Sequence, residues 1–368
     1  MSSRRRALAL IGAALAGGCA LPEVAAPSLD ELYPPMPAGP APGASARMRE
    51  LCAGLGRGIN FGNMLEAPLE GEWGLRASDE FIDLVGSEGF CRSVRLPVRW
   101  SNHASRDAAA VIDPAFFARV DEVLDKLLAR GCTVILNMHH YRQLDGDPLD
   151  SDLSVPHALL RVRFLAMWRQ IAERYASRSE DRLLFEPYNE PHGLQDEQGG
   201  VSWNDLLSRA VRVIRRSNPT RAIVIGPGRW NSVDALPHLL LPPDPNLILT
   251  VHSYEPFDFT HQGASWVKPY KPTGQDCCST DQLARMTAVL DKAQRECKRL
   301  GYPFFVGEFG AYERAAMPAR ARYARAMREA MEARGLPWFW WELASGFGVY
   351  DPKAHAFRQP LFDALYGA

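Results

Sequence analysis

From about residue 50 onward the chain alternates short apolar runs with longer stretches in which apolar side chains recur every three to four positions. The short runs cover 58–63, 93–97, 133–137, 183–188, 222–226, 247–251, 304–306 and 338–341. Most are apolar without alternation, which is the pattern of parallel strands covered on both faces. One intervening stretch opens with Asp113 as N-cap and Pro114 at the first helical position. Phe116, Phe117, Val120, Val123, Leu124 and Leu127 follow at helical spacing, and Gly131 closes it. Further helices are expected at 159–175, 203–216, 280–300 and 318–334. Eight strands separated by helices predict an α/β chain folded as a closed (β/α)8 TIM barrel, a single domain over 47–368. The long insertion at 254–280 follows the sixth strand, and its Pro, Gly, aromatic and polar content suits a functional loop.

The head of the chain follows a different pattern. Arg4, Arg5 and Arg6 precede an apolar stretch from Ala7 to Ala16, too short to span a bilayer but right for an export signal over 1–26. The arginines fit either a twin-arginine or a general secretory signal. Leu15 to Cys19 resembles a lipoprotein box, so Cys19 is a candidate for lipidation and membrane attachment; cleavage after Ala20 is the soluble alternative. Either outcome implies export, to the periplasm, the outer membrane or the medium. Residues 27–46 are rich in Pro, Ala and Gly and read as a flexible spacer.

Composition narrows the function. With 46% hydrophobic and 23% charged residues the chain is globular, neither disordered nor a coiled coil. Its 42 basic and 43 acidic residues leave a net charge of -1, which lacks the basic footprint of a nucleic-acid binder and suits an uncharged partner. Beyond Cys19 there are Cys52, Cys91, Cys132, Cys277, Cys278 and Cys297. In an exported chain these permit disulfides, a local link from Cys277 or Cys278 to Cys297 among them; buried free thiols at Cys91 and Cys132 are the alternative. No Cys or His spacing fits zinc.

In a barrel of this kind the active site lies at the C-terminal ends of the strands. The residues there are Asn60 to Asn63, Arg95, His139-His140, Asn189-Glu190, His252 and Tyr254, Glu308, and Trp341-Glu342. Glu190 and Glu308 would face each other across the mouth. Two carboxyls flanking one glycosidic bond can hydrolyse it, and a retaining enzyme sets them ~5–5.5 Å apart. His139-His140 as a metal site is the rival, but the first strand offers no histidine to join them. No metal and no cofactor are expected. Solvated carboxylates are the default for Glu66, Glu72 and Glu342. Trp73, Trp100, Trp230 and Trp266 are either core or sugar-binding rings.

The segments Asn189-Glu190-Pro191, Gly307-Glu308-Phe309-Gly310, Arg95-Leu96-Pro97-Val98-Arg99-Trp100 and Asn137-Met138-His139-His140 resemble glycoside hydrolase family 5, the cellulase-like retaining barrels. Gly58-Ile59-Asn60-Phe61-Gly62-Asn63, His252-Ser253-Tyr254 and Trp340-Trp341-Glu342 resemble its first, sixth and eighth strands. The resemblance spans roughly residues 50 to 365. It implies that Glu190 is the acid/base, Glu308 the nucleophile, and Arg95, Asn189, His252 and Tyr254 their supports. His139, His140, Trp341 and Asn63 would bind sugar. The acid should have a raised pKa and the nucleophile a lowered one. The implied activity is retaining, endo-acting hydrolysis of β-1,4-glucan by a monomer. Mannan, xyloglucan or β-1,3-glucan specificity is the alternative on the same machinery, and a non-catalytic polysaccharide-binding lipoprotein the alternative of another class.

Overall fold

The computed structural model describes residues 28–87, 89–149, 152–194 and 201–367. The expected export signal over 1–26, with Cys19, lies outside them. Eight parallel strands close a barrel in sequence order: β1 Arg57–Asn60, β2 Ser93–Leu96, β3 Thr133–Asn137, β4 Leu183–Glu186, β5 Ile223–Ile225, β6 Leu247–His252, β7 Phe304–Phe309 and β8 Trp338–Trp340. β8 returns to pair with β1 through Arg57↔Trp338 and Ile59↔Trp340. The strands follow the apolar runs but several stop earlier. β1 ends at Asn60 and β4 at Glu186, which releases Phe61 to Asn63 and Pro187 to Glu190 into the loops at the mouth.

The longer helices are α1 Ala46–Gly54, α2 Asp79–Leu84, α3 Pro114–Ala129, α4 Leu160–Arg174, α5 Val201–Arg215, α6 Thr280–Leu300, α7 Met317–Glu332 and α8 Gln359–Tyr366. α3 begins as its sequence predicts: the Asp113 carboxylate accepts from the Ala115 N–H, and the expected apolar stripe is buried. α6 opens with a reciprocal capping box between Ser279 and Gln282.

Alternation along each strand divides the apolar side chains between two cores. Outward residues such as Val94, Leu136, Phe185, Leu249 and Trp338 pack under the helices. Inward residues Ile135, Leu184, Val224, Ile248, Phe305 and Phe339 fill the lower barrel, and Met48, Cys52 and Leu55 from the α1 region plug its base. Gly58 is required here, since a Cβ at that position would stand 2.4 Å from the Phe339 ring. Two residues further along the same inward rows the filling turns polar: Asn60, Arg95, Asn137 and Glu186, all fully buried. The apolar floor therefore lifts a polar layer directly beneath the mouth.

Two expectations are corrected. The described part of the spacer is not a free linker. It carries a short helix at Leu29–Leu32, buries Tyr33, and is pinned to α5: Arg209 donates to the Tyr33 carbonyl at 2.8 Å and to Asp30 at 2.7 Å, and Arg212 to the Pro35 carbonyl at 2.6 Å. The local link to Cys297 is also absent. Cys277 and Cys278 bridge each other, while Cys52, Cys91, Cys132 and Cys297 are buried free thiols. Among the described residues no helix is long and apolar enough to cross a membrane.

Candidate active site

Arg95 organises the mouth from inside the barrel. Its guanidinium has five N–H donors in a fixed fork, and all five find acceptors. Nε and one Nη grip Glu186 at 2.7 and 2.6 Å. The same Nη reaches Asn189 Oδ1 at 2.5 Å, and the other reaches Asn60 Oδ1 at 3.0 Å and Glu308 Oε1 at 2.7 Å. The ion pair with Glu186 is wholly buried, which breaks even only when such hydrogen bonds are complete. Asn60 in turn donates to the Gly307 and Trp340 carbonyls, locking β1 to the strands that bear Glu308 and Trp341.

Glu190 stands just past β4 on a left-handed backbone (φ 49°). Its Oε1 lies 2.6 Å from His252 Nδ1. Glu308 projects from β7 opposite His252, where the β6–β7 register shifts. Its Oε2 accepts from the Tyr254 hydroxyl at 2.9 Å and lies 3.5 Å from His252 Nδ1. One oxygen of Glu190, one of Glu308 and a His252 nitrogen all lie within 4.8 Å of one another. That spacing is crowded enough to raise the question of a metal. The donor set answers it: Glu308 already faces the Arg95 guanidinium and the Tyr254 hydroxyl, so a divalent ion would sit against a fixed positive charge. The set suits proton transfer instead.

Burial pushes Glu190 up to about 7, with the charge of Glu186 adding and those of Arg95 and His192 opposing. The upward shift expected of Glu190 is therefore present. The downward shift expected of Glu308 is not. Burial lifts Glu308 too, and the nearby charge of Glu190 adds to it, against the pull of His252, Arg95 and Tyr254. Burial lowers His252 to about 4, so its ring is neutral. Its Nε2 lies 3.2 Å from the Asn231 amide nitrogen, which donates to it and leaves the ring proton on Nδ1, facing Glu190.

Around this pair stand the proposed sugar contacts. His139 is buried, neutral, bonded at 3.1 Å to the Asn189 amide and stacked 5.6 Å from the Trp341 ring. Gly62 makes room for that indole, since a Cβ there would meet it at 3.0 Å. His140 is half-buried beside Trp73. Asn63 stands at the rim on a left-handed backbone, and its side chain bonds neither glutamate. Trp73 and Trp230 are 37% and 56% exposed, Trp266 is exposed beside Tyr312, and Trp100 is core.

The cellulase family, glycosyl hydrolase family 5, matches residues 56–346. The chain belongs to this family. Endoglucanase H of Acetivibrio thermocellus is 34% identical over 324 residues, 86% of this chain and 33% of that protein. Cellulase/esterase CelE of the same organism is 30% identical over 316 residues, 80% of this chain and 36% of that protein. The chain thus spans about a third of the length of these two relatives. Among solved structures, an endoglucanase superposes with a TM-score of 0.81 at 36% identity, covering 87% of this chain and all of that one. Thermotoga maritima Cel5A in complex with cellobiose gives 0.79 at 40% identity, covering 86% and 99%.

Several residues of this family 5 site escape a reading of the sequence. Glu186 is detectable as the one charge in the run Leu183 to Glu186. Asn231, which fixes the His252 tautomer, carries no local signal. Nor do Asp145 and Asp147, which reach His192 from the loop after β3. Glu66 and Glu342 depart from the solvated default: both are buried and accept backbone N–H groups, Glu66 from Asn63 and Met64, Glu342 from Ala344, Ser345 and Phe347.

Proposed function

We propose that this family 5 enzyme hydrolyses β-1,4-glucan from within the chain, with retention of configuration. The observation that carries the reading is a half-buried Glu190 and a buried Glu308 with oxygens no more than 4.8 Å apart, too close to admit the water of an inverting mechanism between them. Glu308 attacks the anomeric carbon while Glu190 protonates the departing oxygen. The resulting glycosyl ester discharges Glu308, yet Arg95 is not left unpaired, because Glu186 still holds it through two bonds. Glu190, now an anion, takes a proton from the water that cleaves the ester. The neutral His252 keeps its proton on Nδ1 and can follow Glu190 through both charge states by donating to it. Asn189 is placed by Arg95 and His139 to meet a sugar hydroxyl. Trp341, stacked on His139, offers its face to a ring.

The near-neutral net charge supports an uncharged polymer, and the likeness to a hyperthermophilic endo-β-1,4-glucanase, 33% identical with a TM-score of 0.80, supports β-1,4-glucan. T. maritima Cel5A has also been solved with mannotriose, which makes mannan the natural competitor in a test. The test is product analysis on cello-oligosaccharides, mannan, xyloglucan and β-1,3-glucan, with the first-formed anomer read by NMR. Internal cleavage of β-1,4-glucan giving the β-anomer is expected. An α-anomer would sink retention, and cleavage of mannan alone would move the specificity. Tight glucan binding without cleavage would favour the non-catalytic reading. A polymeric substrate also supports export by the 1–26 segment, which cell fractionation tests.

A further inference from the structure

The loop that carries Glu190 holds a second charged group that the reaction above does not use. His192 Nδ1 lies 2.8 Å from the Glu190 carbonyl oxygen, and its Nε2 lies 3.2 Å from Asp147 Oδ1. Both partners are acceptors only, so a ring that serves both must carry a proton on each nitrogen. Asp145 adds to this. Its Oδ1 accepts the His192 backbone N–H at 3.3 Å and stands 3.8 Å from Nδ1, while Tyr188 donates to its other oxygen. The imidazole face lies flat beneath the Trp230 ring, with centroids 4.6 Å apart and planes 13° from parallel. That is the arrangement of a cation under an aromatic face. Arg142 and His140 are the other titratable groups whose charges act on this cluster.

We propose that His192 is a positioning residue for the acid/base: an imidazolium donating from both ring nitrogens, it holds the Glu190 peptide in its left-handed turn, sets a positive charge beside the acid, and carries Trp230 as a platform on the leaving-group side. The inference deepens the reading of the active site and rests on Glu190 being the acid. Burial alone would lower His192, but Asp147, Asp145 and the Glu190 carbonyl raise it to about 9, in keeping with the hydrogen-bond pattern. Its charge in turn works against the upward shift of Glu190.

Two measurements on the whole enzyme test this. Nitrogen NMR of the histidine side chains should find His192 protonated on both nitrogens at pH 7 and losing one proton near pH 9; a neutral ring at pH 7 overturns the proposal. The second is the pH profile of kcat/KM on cello-oligosaccharides. His192→Gln should move the basic limb upward by half a unit or more, because a positive charge no longer faces the acid, whereas Asp147→Asn removes a negative charge as well as a ring acceptor and should raise the limb only as far as His192 loses its proton. His192→Gln should also cost more on cellopentaose than on an aryl cellobioside, whose leaving group does not reach Trp230. A limb unmoved in both variants, or an equal loss on both substrates, overturns it. If the enzyme cleaves no β-1,4-glucan, the proposed function fails while the NMR result still decides the state of His192.

Discussion

The mouth of the barrel holds two pairs of carboxylates, all buried except the half-buried Glu190. Glu66 and Glu342 form one pair, Glu190 and Glu308 the other. Burial raises all four, and Glu66, Glu342 and Glu190 each to about 7. What separates the pairs is the kind of donor that reaches them. Glu66 and Glu342 accept backbone N–H groups of their own loops, so their oxygens tie the chain and face no open site. Glu190 and Glu308 accept side-chain donors carried on other strands, from His252, Arg95 and Tyr254. Those donors hold the carboxyls while leaving them able to change proton and charge. A shifted carboxyl in a cleft is thus not enough to mark a reacting group.

The largest effect that would break this contrast lies at the second pair. Glu308→Gln and Glu190→Gln should each lower kcat on glucan by roughly 10³-fold or more with the fold intact by circular dichroism. A dinitrophenyl cellobioside separates them: its leaving group needs no proton, so Glu190→Gln should still give a fast first burst and Glu308→Gln none. Glu342→Gln should act on the fold instead. It turns an amide N–H₂ toward backbone donors and should cost about 1–3 kcal/mol by urea unfolding, with kcat at 25 °C within a few-fold. A collapse of kcat at unchanged stability would erase the distinction.

The smallest effect is a slope. In the proposed mechanism Glu190 acts in its protonated form, so kcat/KM should fall as pH rises past about 7. Stability carries the same sign. Glu66, Glu190 and Glu342 bind protons more tightly folded than unfolded. Their contribution is complete below the ordinary value of 4.5 and is lost as pH rises through about 7. Melting temperatures recorded from pH 4.5 to 8 check it, and Glu342→Gln should flatten the curve.

The barrel was legible because parallel strands must be apolar on both faces, which leaves runs such as 133–137 with few alternatives. Glu308 could be singled out because it interrupts an apolar run at the end of β7, and Glu190 because it sits in the segment Asn189-Glu190-Pro191 just past β4. The flexible reading of 27–46 failed because it counted prolines and alanines, whereas the segment is held by Arg209 and Arg212, more than 170 residues away in sequence. The sign at Glu308 failed for a related reason. The attraction of Arg95 could be anticipated from residue types, but the desolvation that outweighs it depends on how completely the loops close over the mouth. Asn231 and His192 act through contacts between loops, which no periodicity records.

The left-handed residues of the mouth have a consequence for anyone wishing to toughen this protein. Asn63, His140, Glu190, Arg229, Trp230 and Asn231 all have φ between 49° and 64°. Such a backbone costs a side-chain-bearing residue about 1–2 kcal/mol relative to glycine. His355 has φ 50° on an exposed turn remote from the strand-end chemistry. A search for heat-resistant variants would therefore find glycine profitable in both places. At position 355 the change gives up only an exposed contact with Glu80; at the mouth every glycine that hardens the barrel removes a side chain that the proposed reaction or its substrate would meet.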